Sequence, residues 1–442
     1  MTFISNRNIP GLPKLKILFR ALKYKNFRLF ISGQSLSLIG TWIQQIAMTW
    51  LVYRMTNSAF MLGLIGFSGQ IPLFMLAPIA GVLADRWNRH KVLLAIQISA
   101  LIQALFLSLI VFTGYVQIWH LIVLSILLGT INAFDIPVRQ SFVFDMLDNN
   151  KKDLANALAM NASMVNSTRL IGPSIAGILI STIGEGWCFA LNSLSYVAVV
   201  ISLLRMKNIS QLRNLRVSNV FVEMKEGFRY TFGFKPIKYL LLLLALVSLM
   251  GTPLTLLAPV FAKQIFHGGA SIYGFLMGAN GVGSLLGAVY LLNRKSVAGL
   301  WKLIAKAVLV LSIGMIAFSI SRIFWISILI MAISGLGIVV QIVSTNTLLQ
   351  TISEENKRGR VLSFYSMAFI GMAPFGSLMF GGLAGIIGAP NTLILGGIFC
   401  LAGSILFANK LPVIRPIVMP IYKRLGIVHE IISTTENSNS LN

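Results

Sequence analysis

The sequence predicts an all-α integral membrane protein of 12 transmembrane helices, arranged as two six-helix halves. Composition, the recurrence of long apolar runs and the sidedness of the basic residues predict it. Of 442 residues, 56% are hydrophobic and only 11% charged, too little charge to keep a soluble chain of this length dispersed. Each apolar run is long enough to cross ~30 Å of hydrocarbon at ~1.5 Å per residue. Most are apolar on nearly every face, unlike the amphipathic helices of a soluble protein. The expected spans are 28–53, 59–83, 92–114, 117–138, 157–183, 186–204, 239–262, 270–292, 301–319, 323–348, 361–387 and 391–409.

The formal charge of +24 suggests nucleic acid until its distribution is read. Thirty-two of the 36 Lys and Arg precede the first span, fall in even-numbered connections or follow the last span. Arg54, Lys263 and Arg322 lie in odd-numbered connections, and Arg169 lies within the fifth span. This is the positive-inside pattern, which puts both termini in the cytoplasm and also tests the span count, because one missed helix would scramble it. The expected organisation is a cytoplasmic basic N-terminus (1–27), a six-helix bundle (28–204), a cytoplasmic central loop (205–238), a second bundle (239–409) and a cytoplasmic tail (410–442).

The lead-in has neither the apolar core nor the cleavage site of a signal peptide. The closing STTENSNSLN has little to bury and is expected to be disordered. In the central loop, Val222, Lys225, Glu226 and Arg229 could share a short surface helix. The basic face suits anionic lipid headgroups, whereas no basic module separate from the membrane-flanking segments exists to hold nucleic acid. Cys188 and Cys400, in or near separate spans, read as small packing residues, with no metal-ligand spacing or disulfide framework.

The halves echo each other. QSFVFDMLDNNKKDLANALAM before the fifth span parallels NTLLQTISEENKRGRVLSFYS before the eleventh, and each precedes a Pro-containing helix. Many secondary transporters are duplicated in this way, with the substrate site between the repeats.

The strongest local motif is GVLADRWNRHKVLL, Gly81 to Leu94. Asp85 closes one helix there and Arg89 opens the next, which suits a gating contact. An aspartate can meet the positive end of another helix, and Arg89 can pair with an acid at a neighbouring helix end, for which Asp135 is the expected partner. Simple helix capping by solvated charges explains the same residues equally well. The segment resembles the cytoplasmic signature of the major facilitator superfamily, matched by Gly81, Leu83, Ala84, Asp85, Arg86 and Arg89. Asn88 replaces the usual glycine, a mild change because Asn tolerates a left-handed conformation, and His90 replaces a basic residue. The resemblance implies two six-helix bundles rocking around a central cavity, with Asp85 locking near Gly359 and Arg360. The second half keeps Gly287 and Arg294 in the matching turn but lacks the aspartate.

LKYKNFRLFISGQSLSLIGTWIQQIAMTWLVY, FDIPVRQSFV, LANALAMNASMVNSTRLIGPSIAGILI and KRGRVLSFYSMAFIGMAPFGSL resemble a bacterial exporter branch that includes the enterobactin exporter and macrolide-efflux proteins. Gly172, Pro173 and Gly177 partly match a fifth-helix signature of exporters. Physically, Pro173 removes a helix hydrogen bond and the glycines allow close helix approach, which a plain packing kink would also explain.

Arg169 lies ~18 Å into its span by helical rise, where a charge costs ~2.5 kcal/mol or more. It either meets an anionic group on cargo or braces backbone carbonyls and amide side chains. Gln34, Thr41, Gln45, Asn132, Asn166, Asn280, Gln341 and Thr345 are further cavity candidates, each of them also a plausible interhelical hydrogen-bonder. Trp50 and Trp119, near helix ends, read as interfacial anchors. The sequence has no Walker loop, HExxH site, GxSxG elbow or paired carboxylates, so neither an ATP-driven cycle nor an enzyme is indicated.

The expected function is alternating-access export of a small organic molecule, a siderophore or an amphipathic drug, across the inner membrane. The resemblance implies proton antiport, with the proton carried by Asp135, by another acid or by the substrate itself, and no cofactor is implied. The alternatives are import of a small solute such as an iron chelate, or a non-transporting sensor or assembly partner. If Arg169 faces the cavity, Arg169→Gln abolishes transport of an anionic cargo while the protein stays well expressed. Unimpaired transport by that variant would remove Arg169 from the cargo site.

Overall fold

The computed structural model describes residues 20–147, 151–206, 228–251, 253–294, 296–355 and 357–425. Within the helices, the side chains at 77–78, 81–86, 151–152, 155, 162, 166 and 169–170 lie outside that description. The first half supplies α1 (Lys25–Thr56), α2 (Ala59–Arg86), α3 (Arg89–Phe112), α4 (Ile118–Asp145), α5 (Lys151–Ile183) and α6 (Glu185–Leu204). The second supplies α7 (Lys235–Gly251), α8 (Ala270–Leu292), α9 (Leu300–Ile320), α10 (Phe324–Ile352), α11 (Arg358–Phe369), α12 (Ala373–Ile387) and α13 (Ala389–Arg424).

Among the described residues, ten stretches are long and apolar enough to cross a membrane, with Lys235–Ile265 and Arg358–Ile387 each counting as one. α1 and α5, of 32 and 33 residues, are also long enough but are interrupted by polar side chains. Together they are compatible with twelve spans. Large apolar side chains cover the outside: Trp325 and Ile386 are 75% and 82% exposed. Water would drive such a surface to aggregate, whereas lipid solvates it.

The structure departs from the expected spans where proline intervenes. The seventh span is not one helix. After α7 come Pro253–Leu256, Ala258–Val260 and a π turn, Phe261–Ile265, because Pro253 and Pro259 cannot donate to the ladder. The eleventh span breaks between α11 and α12, ahead of Pro374.

α13 runs to Arg424, well beyond residue 409, with Ile414, Val418 and Tyr422 buried at a spacing of four. Tyr422 accepts a hydrogen bond from Trp301 Nε1 at 3.1 Å. Of the surface helix expected in the central loop, Val222, Lys225 and Glu226 lie outside the described residues, and 228–233 is helical. The closing STTENSNSLN also lies outside them.

A 3₁₀ turn, Arg20–Lys23, ties the N-terminal segment to the start of α5. Arg20 Nε and Lys23 Nζ lie 2.9 and 2.5 Å from the Asp153 carboxylate, and Tyr24 Oη donates to it at 2.8 Å. The Lys23 and Tyr24 hydrogen bonds hold that carboxyl below the usual carboxylate range.

α1 packs against α5 and α6, α2 against α4, and α3 against α4 and α6. Six spans later the neighbours recur: α7 against α11 and α13, α8 against α10, and α9 against α10 and α13. Among the described residues, two main crossings join the halves, α5 on α8 and α2 on α12, with lighter contacts from Ala258–Val260 to α1 and from Pro253–Leu256 to α2. Both sit toward the end where α1 hands over to α2, opposite the basic end where α2 hands over to α3.

Glycine faces glycine at each crossing. A Cβ on Gly381 would lie 2.7 Å from Gly63 Cα and 2.9 Å from the Ala59 carbonyl; one on Gly177 would lie 2.5 Å from Gly274 Cα. Nothing there is flexible enough to yield. Gly381→Leu therefore holds the α2–α12 crossing open. A single cysteine placed at Gln70 should gain labelling by an impermeant maleimide from the α1–α2 side; unchanged labelling would show that the crossing is not the seal.

Candidate functional site

A cavity of about 380 Å³ lies between the halves. The first half walls most of it: Thr41, Trp42, Gln44, Gln45 and Thr49 from α1, Gly66, Gly69 and Gln70 from α2, and Ser125, Gly129 and Asn132 from α4, with Pro173 from α5. The second half adds Thr255 and Leu256 from the broken seventh span, Tyr273, Met277 and Asn280 from α8, and Ser377 from α12. The polar groups among these are neutral amides and hydroxyls, able both to donate and to accept hydrogen bonds.

Beneath this wall runs a buried amide chain. Asn192 Nδ2 of α6 donates to Gln44 Oε1 at 2.7 Å, Gln44 Nε2 donates to Gln103 Oε1 of α3 at 3.0 Å, and Gln103 Nε2 donates to the Leu124 carbonyl of α4 at 3.2 Å. Four helices are thus joined by three hydrogen bonds in a medium that offers no others. Gln44 is spent on this chain, whereas Gln45 is exposed to the cavity. The sequence reading selected Gln45 and missed Gln44, Gln70, Gln103 and Asn192. The available signal was amides at matched depth in spans one, three and six.

Of the residues selected from sequence, Thr41, Gln45, Asn132, Asn280 and Pro173 line the cavity. Thr41 Oγ1 also lies 3.3 Å from Tyr196 Oη. Asn280 donates to the Met331 carbonyl at 3.4 Å, so it joins α8 to α10 as well. Gln34 is buried in α1 outside the lining. Gln341 and Thr345 are fully buried in α10, also outside it, with side-chain polar atoms that have no partner among the described residues. The side chains of Asn166 and Arg169 lie outside the described residues; Arg169 stands one turn before Pro173 along α5. Gly172 packs on Trp42 of α1 and Gly177 on Gly274 of α8, so the partial exporter motif touches both the cavity wall and the other half.

At the basic end, the side chains of Gly81, Asp85 and Arg86 lie outside the described residues. Arg89 does not pair with Asp135. Its Nη1 binds both oxygens of Asp145, at 3.1 and 3.2 Å. The reason is length: α4 continues to Asp145, so Asp145 rather than Asp135 stands level with the start of α3. Asp135 lies ten residues, ~15 Å, inside the helix, and the expectation that it stands at a helix end as the partner of Arg89 is corrected accordingly. Asn88 has φ −69°, not a left-handed value, and its side chain caps α3 by accepting from Lys91 N. It serves as an ordinary N-cap.

At the opposite end, Arg54 pairs with Glu185 at 2.8 Å and Arg322 donates to the carbonyls of Ser319 and Ser321. Lys263 crosses between the halves to Asn57 Oδ1 at 2.6 Å. Trp50 is buried and stacks on Tyr273 with ring centroids 6.2 Å apart. It fills the junction of α1 and α8 rather than anchoring at the interface. Trp119 is 57% exposed at the start of α4.

A helical membrane protein whose repeated halves enclose a polar cavity, joined by backbone crossings at one end, has the architecture of a secondary transporter. The transmembrane secretion effector family matches residues 18–419, and the chain belongs to that family of major facilitator transporters. It is 25% identical to the staphyloferrin A transporter of Staphylococcus aureus, over 86% of this chain and 96% of that one. Macrolide efflux protein A of Streptococcus pyogenes is 22% identical, with the same coverage of each chain. The enterobactin exporter EntS of Salmonella typhi is 24% identical, over 81% of this chain and 84% of that one. Among solved structures, a bacterial homologue of the human lysosomal transporter Spinster, inward-facing and unoccupied, superposes with a TM-score of 0.65 at 15% identity, covering 86% of this chain and 96% of that one.

Gln44 and Gln45 are neighbours in sequence with different surroundings, one held in the amide chain and the other open to the cavity. Gln44→Leu strands Asn192 and Gln103 and lowers stability by about 1–3 kcal/mol, read as a lower melting temperature in detergent. Gln45→Leu leaves melting unchanged and weakens cargo binding. Equal melting of the two variants would dismiss the amide chain as a brace.

Proposed function

We propose that the protein is a secondary active exporter of a small organic molecule, of the siderophore or amphipathic-drug class, working by alternating access. The observation that carries this reading is the pair of glycine crossings, α2–α12 and α5–α8, which come together at one end of a polar cavity. Related by the same six-span offset, they can separate together when one half rocks against the other. The basic end faces the cytoplasm by the positive-inside rule, with both termini on that side. The present conformer is then closed toward the outside and accepts cargo from within.

The rocking bodies are residues 28–204 and 239–409, joined by 205–238. Anionic headgroups collect on the Lys- and Arg-rich face, and protons moving inward drive the cycle. Arg169 and the neutral cavity groups Gln45, Asn132 and Asn280 hold the cargo, while Asp85, Arg86 and Arg89 form the cytoplasmic latch. Three relatives bearing the words staphyloferrin, macrolide efflux and enterobactin exporter support this cargo class.

Mass spectrometry of cells and medium from wild-type, deletion and complemented strains, grown with and without iron, tests it. The expected result is a metabolite retained in deletion cells and returned to the medium on complementation. A solute depleted from the medium only when the protein is present would instead establish import.

A further inference from the structure

Among the twelve acidic residues of the chain, Asp135 stands apart. Asp85 lies one residue from the end of α2, Asp145 ends α4, Asp153 is third in α5 and Glu185 opens α6. The others fall outside the helices bounded above. Asp135 alone lies more than two turns inside a membrane helix, with seventeen residues of α4 before it and ten after. It is 8% exposed.

Its position along α4 continues the cavity wall. Ser125, Leu128, Gly129 and Asn132 line the cavity, and the helical repeat carries that stripe on to Asp135 and Arg139. Asp135 Oδ1 accepts from Gln97 Nε2 of α3 at 2.9 Å, and Oδ2 accepts from Arg139 Nε at 3.0 Å. Gln97 is itself buried, and its Oε1 has no hydrogen-bond partner among the described residues. That orphan carbonyl is costly beside a carboxylate. It is useful beside a carboxylic acid, because an amide turned through a half-circle accepts the acid's O–H where it formerly donated N–H.

We infer that Asp135 is the proton-carrying group of the transport cycle, with Gln97 as the positioning residue that serves both its protonation states. The inference rests on the exporter reading above. The ionised carboxylate takes one proton from water and becomes a neutral acid that donates to Gln97 Oε1. On release, the proton returns to water and Arg139 and Gln97 Nε2 again donate to the anion. Arg139 stays cationic throughout. Other charged or titratable groups on the surrounding helices include Arg89, His90 and Lys91 at the start of α3, Asp145 at the end of α4, which Arg89 binds, and Tyr196 of α6, which stands within electrostatic reach and contacts Thr41 of the cavity wall. Asp85 and Arg86 of α2 and Arg169 of α5 are further charged residues on helices packed against α4.

The test uses full-length wild type, Asp135→Asn and Asp135→Glu. Infrared difference spectra of the purified proteins across a pH series should show a carboxylic acid band in wild type that is lost in Asp135→Asn and returns, shifted, in Asp135→Glu. The last variant separates loss of a proton site from loss of fold. An identical band in Asp135→Asn overturns the inference.

In proteoliposomes, with staphyloferrin A and a labelled macrolide as probes, Asp135→Asn should keep exchange at equal pH and lose accumulation driven by a pH gradient. Retained gradient-driven accumulation also overturns it. If wild type moves neither probe, it is the cargo reading that fails, and the infrared series alone decides the role of Asp135.

Discussion

Two helices inside a bilayer gain nothing by hiding apolar surface from each other, because lipid tails are as apolar as leucine. They hold together where backbones approach closely and where polar groups have no other partner. Both devices are visible in this transporter and are divided by task. Within the first half, amides do the binding: Asn192, Gln44 and Gln103 string α6, α1 and α3 into one body, and Gln103 reaches the backbone of α4. Between the halves, facing glycines do most of it at Gly63–Gly381 and Gly177–Gly274, beside the Lys263–Asn57 hydrogen bond. A hydrogen-bonded chain must break bonds to move, whereas two bare backbones in van der Waals contact can part and return without stranding a polar group. On the proposed rocking motion, the body that stays rigid and the joint that opens are built from different chemistry.

The same economy explains the breaks in spans seven and eleven. Pro253 and Pro374 interrupt their ladders next to Thr255 and Ser377 of the cavity lining, where irregular backbone is tolerated more readily than against hydrocarbon. Ser248 of α7 donates to the Phe369 carbonyl at the end of α11, and the short Pro253–Leu256 helix delivers Thr255 to the cavity. The first half has no such break in α1, and its Pro173 leaves α5 continuous. The two halves therefore share a packing plan but not a cavity wall: most of the lining comes from the continuous helices.

Much of this was legible from residue order. The apolar runs, the sorting of Lys and Arg and the duplicated segments lead to a helical membrane protein of this family without any coordinates. Thr41, Gln45, Asn132 and Asn280 stand out as polar residues in apolar runs, and all four line the cavity. Gln341 and Thr345 stand out by the same rule and are buried elsewhere, because polarity in a span says that a side chain needs company and not which company. Arg89 was assigned to the wrong acid because the end of α4 was placed at residue 138. Apolar periodicity fades where a helix leaves the hydrocarbon, although the helix itself continues.

What the sequence by itself determined is what depends on one helix meeting lipid: which segments are apolar enough to cross, and which connections carry the positive charge. Each residue there answers to the solvent around it, and that solvent is the same for every span. The tertiary structure alone decided the pairings: Gln44 with Asn192 and Gln103, Asp135 with Gln97, Arg89 with Asp145, Trp50 with Tyr273. Such contacts join residues dozens to hundreds of positions apart. They depend on the rotation and depth of whole helices, to within an ångström or two that no local pattern of residues encodes.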